Sequence, residues 1–145
     1  MTAEDYVVEV LGGRSVFRGP TVPTPAEMRE RIRQGLPYRS LESARARLRL
    51  SVPDAAGLLH MPTRTMVRRR QLRRLGPSES DRLYRIARVA GHAVSAFGDE
   101  DEATMWLQRP NRALNGEPPI RWLDTDVGAY EVEDVLGRIE HGIVG

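Results

Sequence analysis

One stretch of this chain gathers residue types that converge on a chemistry: TRTMVRRRQLRRL, residues 63–75, with six arginines between positions 64 and 74 and no acid. Guanidinium groups at this density bind polyanions. Each one that neutralises a phosphate releases a condensed counterion, so several together give affinity that falls steeply with salt. A guanidinium that reaches a base edge can pair with guanine O6 and N7 together, worth about 1–3 kcal/mol of discrimination. Arg64, Thr65, Arg68 and Arg69 are placed to meet the groove, and Arg70, Arg73 and Arg74 to meet phosphates. Most charge runs are only solvated helix faces; what distinguishes this one is its surroundings.

Nothing else in the chain offers a catalytic constellation, and the expectation is no catalytic residue, no metal and no cofactor. Cysteine is absent, which removes disulfides, thiolate nucleophiles and cysteine-based zinc sites. His60, His92 and His141 lack metal-ligand spacing and read as surface or cap residues. The acids at 99–102 lack the alternating ligands and central glycine of a calcium loop, and acids at a helix start are favoured by the helix dipole anyway. Nucleophile elbows, phosphate-binding glycine loops and dinucleotide fingerprints are missing.

The arginine run must be held by the elements around it. SVPDAAGLL (51–59) is a short, small-residue helix pattern capped by Ser51 and Asp54, and HMPT (60–63) is a break. Helix, tight break and basic helix form the pattern of a helix-turn-helix, whose second helix enters the DNA major groove. Met66 and Val67 are expected to anchor that second helix. Pro62 cannot cap it, although proline begins a helix without losing a hydrogen bond.

Caps and 3.6-residue spacing recur elsewhere, so the fold class is all-α. Residues 2–11 fit either a helix capped by Thr2 and Asp5 or a strand. TPAE (24–27) opens a helix that GLP (35–37) stops, and residues 38–50 form the next. Gly76 and Pro77 start the longest helix, through Phe97, with Leu83, Ile86, Ala87, Ala90, Val94 and Phe97 buried and Arg82, Arg85 and Arg88 turned away. Asp99 and Glu102 cap a helix broken by Pro110; residues 109–124 are turn-rich. A last helix over about 126–141 buries Val132, Val135, Leu136 and Ile139. Trp106 and Trp122 read as core rather than interface.

Formal charge is +2 overall, but its distribution is uneven. Residues 1–97 hold 18 arginines and 9 acids (18 − 9 = +9); residues 98–145 hold 4 arginines and 11 acids (4 − 11 = −7). One part suits polyanions and the other repels them, so two surfaces with different partners are expected. The acidic N-terminus does not read as a signal peptide and no apolar run has membrane-spanning length, so the expected location is the cytoplasm, with no membrane partner.

Several dispersed motifs add a resemblance. WLQRPN (106–111), ALNG (113–116), Pro119, TDVG (125–128) and VEDVLGRIEHG (132–142) resemble the toxin-binding domain of Xre/MbcA/ParS-type antitoxins. The match extends back through SDRL (80–83), Arg85 and Ala87, through Arg64, Thr65 and Arg68–Arg70, and to GLP (35–37) and LGG (11–13). Xre-like antitoxins of this kind join a helix-turn-helix region to a small helical toxin-binding domain. The resemblance implies a dimer-forming antitoxin of a type II toxin–antitoxin system. Its partner would be a RES-domain toxin that consumes NAD+, encoded by a neighbouring gene. A larger toxin–antitoxin assembly and repression of its own promoter through operator DNA are also implied. The C-terminal helix and tail would obstruct the toxin's cleft, which gives Glu133, Arg138, His141, Gly142, Ile143, Val144 and Gly145 as toxin-binding candidates. The chain is accordingly divided into a possible dimerisation segment (1–37), a helix-turn-helix region (38–76) and a helical toxin-binding domain (77–145). The rival reading is a free-standing helix-turn-helix regulator without a toxin partner.

Overall fold

The computed structural model describes residues 1–142. Among these, the chain forms α1 (Ala3–Val10), α2 (Pro25–Gln34), α3 (Tyr38–Leu48), α4 (Val52–Leu58), α5 (Thr63–Leu72), α6 (Pro77–Phe97), α7 (Glu100–Gln108) and α8 (Asp126–Glu140). Three 3₁₀ turns, Gly13–Ser15, Arg112–Leu114 and Pro119–Asp124, fill the connections. The all-α class holds. The ambiguous segment at 2–11 is helical: Thr2 and Asp5 form a reciprocal capping box at 3.0 and 3.1 Å. Its buried residues, Tyr6, Val7, Val10 and Leu11, follow helical rather than alternating spacing.

α6 is the spine, and α1, α2, α7 and α8 pack along it. The sequence pattern gives it one buried stripe, but Val89 and Ala93 are buried as well, while Phe97 is only partly so. Helices lie on more than one side of it, so little of its circumference is left for water. Gly91 allows a close approach by α1, since a Cβ there would stand 2.6 Å from the Ala3 carbonyl oxygen.

This enclosure corrects the reading of Arg82, Arg85 and Arg88 as an outward face. Their side chains brace neighbouring segments: Arg82 donates to the Leu59 carbonyl (3.3 Å), Arg85 twice to the Leu123 carbonyl (3.3 and 3.2 Å), and Arg88 to the Glu133 carboxylate (2.8 Å). α3 also stops two residues short of the expected end, because Arg49 adopts a left-handed conformation (φ 57°) and Leu50 turns back into the core. Arg47 meets Glu9 (3.1 Å) and Glu100 (3.7 Å), and Arg49 meets Asp101 (3.5 Å). Part of the charge asymmetry along the sequence is therefore closed within the molecule.

Candidate nucleic-acid interface and the C-terminal helix

α4 begins on Ser51, whose hydroxyl accepts from the Asp54 N–H at 3.1 Å. It ends where His60 takes a left-handed conformation (φ 54°) and Met61 N–H returns to the Ala56 carbonyl at 2.9 Å. The His60 Nε2 donates to the Asp124 carbonyl at 2.7 Å; a carbonyl can only accept, which fixes the proton on that nitrogen. The break between the two helices is thereby tied to the 3₁₀ turn ahead of α8. Leu58, Leu59 and Met61 are buried beneath it.

α5 follows Pro62, which supplies no side-chain cap. Its single buried residue is Met66; Val67, expected as a second anchor, is 51% exposed. The far end of the helix is clamped by polar contacts instead. Arg69 Nε donates to Glu79 at 2.8 Å, and the same carboxylate oxygen takes the Gly76 N–H at 2.7 Å. Arg74 donates to the Gly35 carbonyl at 2.7 Å. The Arg73 carbonyl accepts from Tyr38 N–H (3.1 Å), and Leu75 N–H donates to the Leu36 carbonyl (2.9 Å). Leu36 in turn donates its N–H to the buried Ser80 hydroxyl at 2.8 Å. Gly35, at φ 95°, lies so close to the Leu75 carbonyl that a Cβ would collide with it. The GLP motif at 35–37 is thus the cradle that seats the junction between α5 and α6.

These contacts sort the arginine run into two sets. Arg69 and Arg74 are engaged with the body of the protein, while Arg64, Arg68, Arg70 and Arg73 are exposed and Thr65 is half-buried. Steps of three and four residues place Arg64, Val67, Arg68, Gln71 and Leu72 on the side of α5 opposite Met66. Val67 and Leu72 are 51% and 61% exposed there. Gln71 was not singled out from sequence and Val67 only as an inward anchor, although helical spacing counted from Met66 puts both on the outer side. A glutamine amide can pair bidentately with adenine N6 and N7, and an apolar side chain can meet the thymine methyl.

α8 begins on Thr125, whose hydroxyl accepts from the Gly128 N–H at 2.9 Å, and a Cβ on Gly128 would collide with the Trp122 carbonyl. Ala129, Val132, Val135 and Leu136 bury its inner face. Glu133 points toward α6, where it accepts from Arg88 and stands 3.7 Å from His92 Nδ1; His92 Nε2 is hydrogen-bonded to Glu140. Arg138 pairs with Asp134 at 3.4 Å. His141 is exposed beyond the last turn and Gly142 has φ 71°; Ile143, Val144 and Gly145 lie outside the described residues. Trp106 and Trp122 are partly buried against the core, Trp106 with its ring centroid 5.7 Å from that of Phe97. The WLQRPN motif is a joint: Gln108 donates to the Leu48 carbonyl (2.8 Å), and Asn111 caps the next turn by accepting from the Ala113 N–H (2.9 Å).

Among the described residues no helix is long and apolar enough to cross a membrane, and no group of three potential ligands could hold a metal ion.

Comparison with known proteins finds two family models matching successive parts of the chain. Residues 27–88 match the antitoxin Xre-like helix-turn-helix domain, and residues 92–142 match the antitoxin Xre/MbcA/ParS C-terminal toxin-binding domain. A protein named antitoxin Xre from Photorhabdus laumondii is 51% identical over 67 residues, covering 46% of this chain and 45% of the relative. Its counterpart in Yersinia enterocolitica is 40% identical over 97 residues (64% of this chain, 66% of the relative). The one in Pseudomonas putida is 38% identical over 64 residues (44% and 40%). The chain thus spans less than two thirds of the length of each relative it matches. A helix-turn-helix with an exposed basic helix, followed by a separately matched helical domain, places the chain in a family: it belongs to the Xre-type antitoxins.

Proposed function

We propose that this protein binds and blocks a RES-type, NAD+-consuming toxin encoded beside it, and represses their shared promoter. The observation that carries the DNA half is the outward face of α5, where Arg64 and Arg68 alternate with Val67 and Gln71. Arg70 and Arg73, exposed at the far end of α5, are the phosphate contacts of this reading. A two-fold dimer would present two such helices to an inverted repeat, spaced by about one turn of DNA. Residues 38–76 are the DNA-reading region in this account, and residues 1–37 contribute to the dimer.

The toxin half is supported by the family match over residues 92–142. The end of α8 and the residues after it, Arg138, His141, Gly142 and Ile143, Val144 and Gly145, enter the mouth of the toxin's cleft and exclude its dinucleotide without chemistry of their own. Glu133 contributes by holding the end of α8 on α6 through Arg88 and His92 rather than by meeting the toxin's charges directly. The complex works in the cytoplasm, where NAD+ and the operator both lie.

NAD+ consumption by the purified neighbouring enzyme tests this half. Full-length protein should abolish it, and deletion of residues 138–145 should restore it while operator binding stays intact. Continued inhibition by the truncated chain refutes the plug.

A further inference from the structure

α8 turns outward a face that the other described residues leave uncovered. Val127 and Tyr130 are 75% and 74% exposed, more than any other large apolar side chain among the described residues. Steps of three and four residues carry the same stripe past Asp134 and Gly137 to His141, with Asp126 and Glu131 exposed beside it.

Gly137 is the informative member. It sits inside a regular helix without a left-handed φ, and a Cβ placed on it would meet nothing within 4 Å. Among the described residues no contact requires glycine there, yet glycine in a helix interior is less stable than alanine. A missing side chain on an exposed helix face admits another backbone to close range.

We infer that the stripe Val127–Tyr130–Asp134–Gly137 is the face on which the toxin enzyme docks, with Val127 and Tyr130 as its apolar anchor and Gly137 as the point of closest approach. This rests on the toxin-blocking reading above and deepens it. Three considerations favour the enzyme over a second copy of this chain. The stripe lies wholly within the residues matched to the toxin-binding domain. It leads along α8 to the end assigned to the cleft, so one rigid helix would serve both contacts. Its uncompensated charge is acidic, and an enzyme that holds the pyrophosphate of a dinucleotide presents cationic groups around its cleft.

The test titrates the full-length chain against the purified product of the adjacent gene and measures thermal midpoints of the antitoxin alone. Gly137→Ala should raise the midpoint by roughly 2–5 °C and yet weaken toxin binding at least tenfold. Tyr130→Ala should leave the midpoint nearly unchanged and weaken binding by a similar factor. Two results overturn the inference while leaving the toxin-blocking reading in place. One is a stabilised Gly137→Ala and a Tyr130→Ala that both bind the toxin as well as wild type. The other is variants that lose self-association while keeping toxin affinity. Absence of binding by the wild-type chain refutes the toxin-blocking reading itself, and this inference with it.

Discussion

At the scale of single residues, the arginines of α5 differ in what surrounds them rather than in type. Arg69 neutralises Glu79, whose side chain is only 12% exposed, so removing it strands a nearly buried carboxylate. Arg69→Ala should cost about 1–3 kcal/mol of folding stability. An Arg64→Ala, Arg68→Ala double variant should leave stability within about 0.5 kcal/mol while lowering operator affinity tenfold or more. Denaturant titration alongside gel-shift measurements separates the two; equal loss of stability in both variants would contradict the sorting. Arg73 adds a case in which stability and function move in opposite directions. It holds φ 57°, a conformation that costs an L-residue about 1–2 kcal/mol. Arg73→Gly should therefore raise the unfolding midpoint while weakening DNA binding. A drop in both would show that the side chain is structural.

Among elements, the decisive joint is the cradle formed by Gly35, Leu36, Pro37 and Ser80. It receives the segment between α5 and α6 and holds the far end of a helix that buries only Met66 of its own. Gly35→Ala combines a positive φ with a collision at the Leu75 carbonyl. It should destabilise by about 2–4 kcal/mol, and operator affinity should fall although no DNA-facing side chain has changed. Calorimetry on the variant checks the first, and a gel shift well below its melting temperature checks the second. Helix starts set the acid limit. The backbone N–H groups that Asp5 and Glu27 accept from hold their carboxyl groups below the ordinary 3.8 and 4.5. Their contribution is complete above those values and is lost as pH falls through the lower, folded-state values. Burial pushes the Tyr6 and Tyr38 phenols above 10.0, so the opposite limb appears as pH rises past 10.0. Thermal midpoints measured across pH should fall on the acid side below 4.5; an acid loss that Thr24→Ala leaves unchanged would remove the cap from the explanation.

For the molecule as a whole, the question is whether its two ends act independently. Operator affinity should fall with salt along a straight log–log line. Removal of Arg70 or of Arg73, the exposed pair assigned to phosphates, should each make the slope shallower by about 0.9, whereas deletion of residues 138–145 should leave it unchanged. A slope altered by that deletion would mean the acidic end acts on the DNA-reading end through the shared spine. The structure supplies a route for such coupling in Arg85 and His60, which both reach the segment just ahead of α8.

Much of this was legible in the residues themselves. Capping boxes, prolines and glycines are local signals, since the groups they satisfy lie within a turn of one another; hence the bounds of α6 and the starts of α2, α4, α7 and α8 followed directly. The basic character of α5 was equally plain. Its orientation was not, because composition is indifferent to which side of a helix meets the core, and there Met66 decides. The same reason put Val67 on the outside, turned Arg69 and Arg74 into structural clamps, and set Glu133 against α6. Sequence alone determined every helix but the first, and the sign of their charge. Only the packing around α6 decided which charges cancel one another and which are left for a partner, because neutralisation depends on distance in space, and pairs such as Arg47–Glu100, Arg49–Asp101 and Arg88–Glu133 stand tens of residues apart along the chain.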